Sequence, residues 1–206
     1  MRAFRLWFWL CAGLAAIAAV TPARAHHRGA SHDGPALGVA IPAISHGEML
    51  VIAKYRTLIL DLAARQPITD PTLRRLEGFV SLQYFACFRG LVPGSLSDES
   101  SPFNECSHAY LAGTRALLAH MAEMPGDQSA AKALQERINA EIASDPAFGA
   151  ICSNSQQIFD SAAIVTPDWA MIPAHPPTVL TFSAVTLLIG AGAGALWRLH
   201  YRLREW

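Results

Sequence analysis

The sequence predicts an all-α protein: a small helical bundle of about five helices, followed by a single C-terminal transmembrane helix. Three observations carry that expectation. Five successive segments repeat apolar residues at i, i+3, i+4 and i+7, the period of one helix face. No segment joins strict apolar alternation to enrichment in β-branched residues, so a sheet is not expected. Residues 178–197 form an uncharged apolar run; at 1.5 Å per residue it covers the ~30 Å of a bilayer's hydrocarbon layer.

The N-terminal segment reads as a secretory signal. Arg2 and Arg5 supply the basic start, residues 6–20 the apolar middle, and Ala23-Arg24-Ala25 the small-x-small cleavage site, which is the order such a leader requires. Residues 1–25 are therefore expected to be a cleaved signal peptide, taking Cys11 with them. Residues 26–44, rich in Gly, Pro, His and Ala, read as a flexible lead-in, and residues 45–163 as the exported helical domain.

Each helix of that domain has legible ends. Ser45-His-Gly-Glu48 is a capping box; behind it Val51, Tyr55, Leu58 and Leu62 recur at helical spacing, with Ile52 and Ile59 beside them, until Pro67. Asp70-Pro71 opens the second helix as an N-cap followed by proline. Its stripe is Leu73, Leu76, Val80, Tyr84, Cys87 and Leu91, and Gly78 in its middle suggests close packing. Ser101-Pro102 opens the third, with Cys106, Tyr110, Leu117 and Met121 on its face. A fourth, from Asp127 through Leu134, Ile138 and Ile142, is the most polar and belongs on the outside. Asp145-Pro146 opens a fifth carrying Phe148, Ile151, Cys152, Ser155 and Phe159.

Residues 164–177 read as a proline-rich juxtamembrane stalk, with Trp169 and Met171 against the bilayer surface. Arg198, Arg202 and Arg204 follow the apolar run. Positive charge stays cytoplasmic, so residues 198–206 are expected to be a cytoplasmic basic tail, with the domain in the periplasm of a bacterial inner membrane. Gly190 and Gly194, separated by three residues, place a small-xxx-small surface on the span, the pattern that lets transmembrane helices approach closely.

Composition narrows the partners. Residues 26–175 hold ten Lys and Arg against fifteen Asp and Glu, a mildly acidic balance that argues against nucleic acid or anionic headgroups as ligand. Export would place Cys87, Cys106 and Cys152 where disulfides form. Cys87 lies one turn before the end of the second helix and Cys106 one turn into the third, so antiparallel neighbours would bring them together as a disulfide; Cys152 is then a free or intermolecular thiol, and a thiol-redox role is one reading of it. There is no Cys-x-x-Cys pair. A Cys106–His108–Cys152 metal site is a weaker alternative.

Cleavage after Ala25 would make His26 the N-terminus, with His27 and His32 following. An amine with imidazoles suits copper(II), so copper or other metal handling is the alternative function. His120, Met121 and Met124 are softer ligands of the kind that select copper(I). No nucleophile elbow, phosphate loop, His-Glu-x-x-His or paired carboxylates are present, and no catalytic residues are expected. The anchored-bundle topology is similar to that of the periplasmic helical domains of cytochrome-biogenesis proteins, but their cysteine motif is missing. The leading expectation is a non-enzymatic, membrane-anchored accessory protein that binds a protein partner or a second copy of itself.

Overall fold

The computed structural model describes residues 38–88, 92, 94–144 and 154–204. It is mostly helical. In chain order the elements are β1 (Ala40–Ile41), α1 (His46–Ala64), α2 (Pro71–Ala86), α3 (Asn104–Glu123), α4 (Ser129–Ser144), β2 (Phe159–Asp160), a 3-10 turn (Trp169–Ala174) and α5 (Pro176–Arg204).

Local chemistry sets these boundaries. At Ser45 both halves of the capping box form: the Ser45 hydroxyl accepts from Glu48 N–H at 3.1 Å, and Glu48 Oε2 accepts from Ser45 N–H at 2.7 Å. Asp70 caps α2 by accepting from Leu73 N–H at 2.6 Å. The third helix starts later than expected, at Asn104, because Ser101 and Pro102 form a preceding turn in which Ser101 O accepts from Asn104 N–H at 2.9 Å. Likewise Asp127 stands outside α4 and accepts from Ser129 N–H at 3.0 Å.

The core is organised around α3, which packs against α1, α2 and α4, while α4 also touches α1. Cys106, Ala109, Tyr110, Leu111, Leu117 and Leu118 of α3 are fully or almost fully buried. Burying each of the three leucines stabilises by about 1.5–3 kcal/mol, part of the main return against chain entropy. Gly113 permits the α2–α3 approach: a Cβ there would stand 2.7 Å from Phe79 Cε1. Gly78 was expected to serve that purpose and does not, since nothing lies within 4 Å of a Cβ built on it. Leu58 also departs from its expected stripe and is 49% exposed; Met49 and Ala63 are buried on α1 instead.

The fifth helix cannot run through Phe159, because Phe159–Asp160 pairs antiparallel with Ala40–Ile41 in a short ladder; residues 145–153 lie outside the described residues. The end of the lead-in is likewise structured, with Ile41 and Ile44 buried in the core. What sequence alternation missed is a ladder only two residues long, too short to show a period.

The segment leading to α5 is tied to the bundle at Val165 and Asp168. Asp168 N–H donates to Pro102 O at 2.9 Å, and the 3-10 turn packs against the start of α5. Helix α5 begins at Pro176-Pro177, which fits proline's preference for the first helical turn. It continues past Trp197 to Arg204, so Arg198, Arg202 and Arg204 extend the same helix. This helix is long and apolar enough to cross a membrane, with a mean hydropathy of 1.9 over its most apolar window.

Candidate functional site

The most elaborately built region is the junction where α5 leaves the bundle. Helices α2 and α3 are antiparallel. The Cys87–Cys106 disulfide joins them at the junction, with Cα atoms 5.6 Å apart, inside the range a disulfide spans. At the opposite end His120 Nε2 meets the Asp70 carboxylate at 2.9 and 3.0 Å. The disulfide closes a loop of sequence separation 19, worth about 3 kcal/mol in the chain-entropy model. Cys106 is thereby committed, which removes the thiolate that a Cys106–His108–Cys152 metal site needs. His120 is engaged by the α2 cap, and Met121 and Met124 are buried in the core.

Beside the disulfide lies Gln83, a fully buried amide in an otherwise apolar stripe. Its Nε2 donates to Val165 O at 2.6 Å and faces Cys87 Sγ at 3.0 Å, while its Oε1 accepts from Val165 N–H at 3.0 Å. One side chain thus satisfies both backbone groups of Val165, as a neighbouring strand would. It pins the segment that leads to α5 against the disulfide.

A second tie is made by His175, which precedes the two prolines. The ring is buried; Nε2 lies 2.9 Å from Asp98 Oδ2 and Nδ1 lies 2.6 Å from Thr178 Oγ1. With a proton on Nε2 the ring donates to Asp98, leaving Nδ1 facing the Thr178 hydroxyl. The His175 hydrogen bond, followed by those from Ser100, holds the Asp98 carboxyl below the usual carboxylate range. This Asp–His–Thr chain has the order of an acid–base relay, but Thr178 is 0% exposed and three residues from His175, so it works as a cap on α5.

The third tie is aromatic. Phe88, just past the end of α2, meets Trp169 at 5.9 Å, Phe182 of α5 at 6.4 Å and Phe103 at 6.5 Å between ring centroids, all edge to face. Phe103 in turn meets Trp169 and Phe182 at 6.4 and 6.3 Å. Such pairs contribute about 0.5–1.5 kcal/mol beyond their area. To reach this position Phe88 adopts φ of +46°, the left-handed region that usually costs a non-glycine residue about 1–2 kcal/mol. Next to it, α2 exposes Leu82 and Phe85, and a shallow apolar groove of about 190 Å³ runs between Leu60, Val80, Phe85 and Tyr110.

Away from the junction, His46 and His108 are buried with ring centroids 5.8 Å apart. Burial, with His46 nearby as a lesser cause, lowers the His108 imidazole to about 4, so it is neutral at ordinary pH. At the start of α1, Glu48 pairs with Arg115 of α3. Burial alone would raise the Glu48 carboxyl, but hydrogen bonds from Ser45 and Arg115 leave it lowered.

Of the residues singled out in the sequence, the structure joins Cys87 and Cys106. Gly190 and Gly194 lie on α5 with nothing within 4 Å of a Cβ at either. His26, His27, His32 and Cys152 lie outside the described residues. Among the described residues no group of three or more His, Cys, Asp or Glu side chains is placed to hold a metal ion. Gln83, Phe88 and His175 were not anticipated. Gln83 had a signal, a polar residue in register with Leu76, Val80 and Cys87; Phe88 had none. No protein-family model matches the chain, and neither a curated protein nor a solved structure is found to resemble it.

Proposed function

We propose that this chain is a non-enzymatic, membrane-anchored helical module that assembles with a protein partner or a second copy of itself, its bundle on the periplasmic side of a bacterial inner membrane. The observation that carries this reading is α5: a 29-residue apolar helix exposed almost throughout, secured to the bundle at its first turns. Farther along, Gly190 and Gly194, one turn apart on the same face, leave a smooth strip open to another helix. Without a hydrophobic drive between helices in lipid, close backbone approach at small residues is what holds them together. The arginines at the end of α5 support a cytoplasmic C-terminus, and the leader pattern supports export of the bundle.

The test is association of the full chain in mild detergent, by cross-linking and by sedimentation. Substituting Gly190→Leu with Gly194→Leu should abolish the assembly while the bundle's helical signal stays unchanged. An assembly that survives both substitutions, or a wild-type chain that is only ever monomeric and captures nothing, would count against the reading.

A further inference from the structure

We propose that the exposed aromatic edge of the bundle, formed by Leu82, Phe85 and Phe88 with Trp169 and Met171, is a lipid-binding surface that sinks into the same leaflet that α5 enters. The inference rests on the reading of α5 as a membrane span, and adds that the bundle itself is seated in the bilayer.

Helix α5 supplies a depth gauge. Its apolar run opens at Thr178, and Phe182 is four residues farther on, about 6 Å along the axis at 1.5 Å per residue. Phe88 and Phe103 of the bundle touch the Phe182 ring at 6.4 and 6.3 Å. The end of α2 is therefore held at the depth where the hydrocarbon begins, not above the headgroups. Amphipathic surfaces that lie on membranes bury their apolar side to about 5–10 Å, the same range.

What stands at that depth has the chemistry of the interface. Phe85 is 74% exposed and Leu82 60%; the two lie three residues apart in the last turns of α2, just ahead of Phe88. Trp169, which packs on Phe88, is 51% exposed and Met171 46%. Contiguous exposed apolar patches mark interaction sites, and an amphipathic indole favours the headgroup zone. Asp98, Glu99 and Asp168 border this edge, so neutral headgroups suit it better than anionic ones. With α5 fixing one point and this edge a second, the bundle has one orientation on the membrane.

The experiment uses the full chain in phosphatidylcholine vesicles, with Cys11→Ser and Cys152→Ser so that the Cys87–Cys106 disulfide is retained. A polarity-sensitive fluorophore is attached singly through Phe85→Cys, Leu82→Cys, Glu123→Cys or Leu187→Cys, and quenching by nitroxide lipids is measured. Glu123, at the far end of α3, reports water; Leu187, within α5, reports lipid. The expected result is a blue-shifted emission at Phe85→Cys, quenched several-fold more than at Glu123→Cys, with Leu82→Cys between them. Quenching at Leu187→Cys with Phe85→Cys and Leu82→Cys both resembling Glu123→Cys would overturn the proposal and leave the anchor standing. A blue shift at Phe85→Cys without lipid quenching would overturn it in favour of a protein covering this edge. Absence of quenching at Leu187→Cys would overturn the proposal together with the span.

Discussion

Replacing Gln83 tests the link between the disulfide-bonded helices and the segment that leads into α5. In Gln83→Leu the shape is nearly kept, but Val165 loses the partners of both its N–H and its C=O. Each polar group left without a partner costs about 1–3 kcal/mol when buried. Val165 is only partly buried, so the low end applies, and the added leucine methyls return about 1 kcal/mol. A net loss of about 1 kcal/mol is expected, measured as a shift in the denaturant midpoint of the full chain in detergent, with faster proteolysis between residues 161 and 175. Gln83→Glu separates hydrogen bonding from shape. The protonated acid both donates and accepts, whereas the carboxylate can only accept and would face the Val165 carbonyl. The introduced carboxyl should therefore titrate above its unfolded value. Relative to wild type at the same pH, the variant should be nearly as stable near pH 4 and progressively less stable as pH rises to 7. If Gln83→Leu costs less than about 0.5 kcal/mol, below the worth of a single hydrogen bond, or if Gln83→Glu shows no pH dependence, the clamp is not holding the segment.

Titration of His108 should make the bundle acid-sensitive. The unfolded imidazole takes up its proton near 6.5 and the folded one resists until about 4, so stability is full above pH 6.5 and falls through that window, by about 3 kcal/mol in total; His108→Gln should flatten this part of the denaturant-midpoint profile, and an unchanged slope would refute the assignment. Two glycines should respond in opposite directions in thermal melts. Gly78→Ala, with open space for its methyl, should gain up to about 1 kcal/mol from helix propensity, while Gly113→Ala should lose about 1–2 kcal/mol because overpacking against Phe79 exceeds that gain. Phe88→Gly should relieve the left-handed backbone yet destabilise by about 1–2 kcal/mol, since losing a half-buried ring outweighs the relief; a stabilised variant would show that the aromatic junction contributes little.

The parts legible in the sequence were those set by local chemistry. The Ser45–Glu48 box and the Asp70-Pro71 cap announce their helices because the groups that satisfy the first N–H donors lie within three residues. The Cys87–Cys106 pairing was legible because antiparallel helices with a short loop leave those two positions facing each other. Gly78 and Gly113 look equivalent as letters; which one admits a neighbour depends on Phe79 being turned toward α3, a tertiary fact. Ile41 and Phe159 carry no alternation to reveal the ladder that joins them. The junction was the least legible part, because Gln83, His175 and Phe88 act on residues 82, 77 and 94 positions away along the chain, beyond the reach of any periodic pattern.

The short ladder between β1 and β2 makes the polypeptide enter and leave the four-helix core at one place. Tension drawn between residue 38 and α5 would meet that ladder first and then the Val165 grip, through which Gln83 passes load to α2. A tug on the leading segment thus reaches the start of α5 by a short path that touches the helical core chiefly at Gln83.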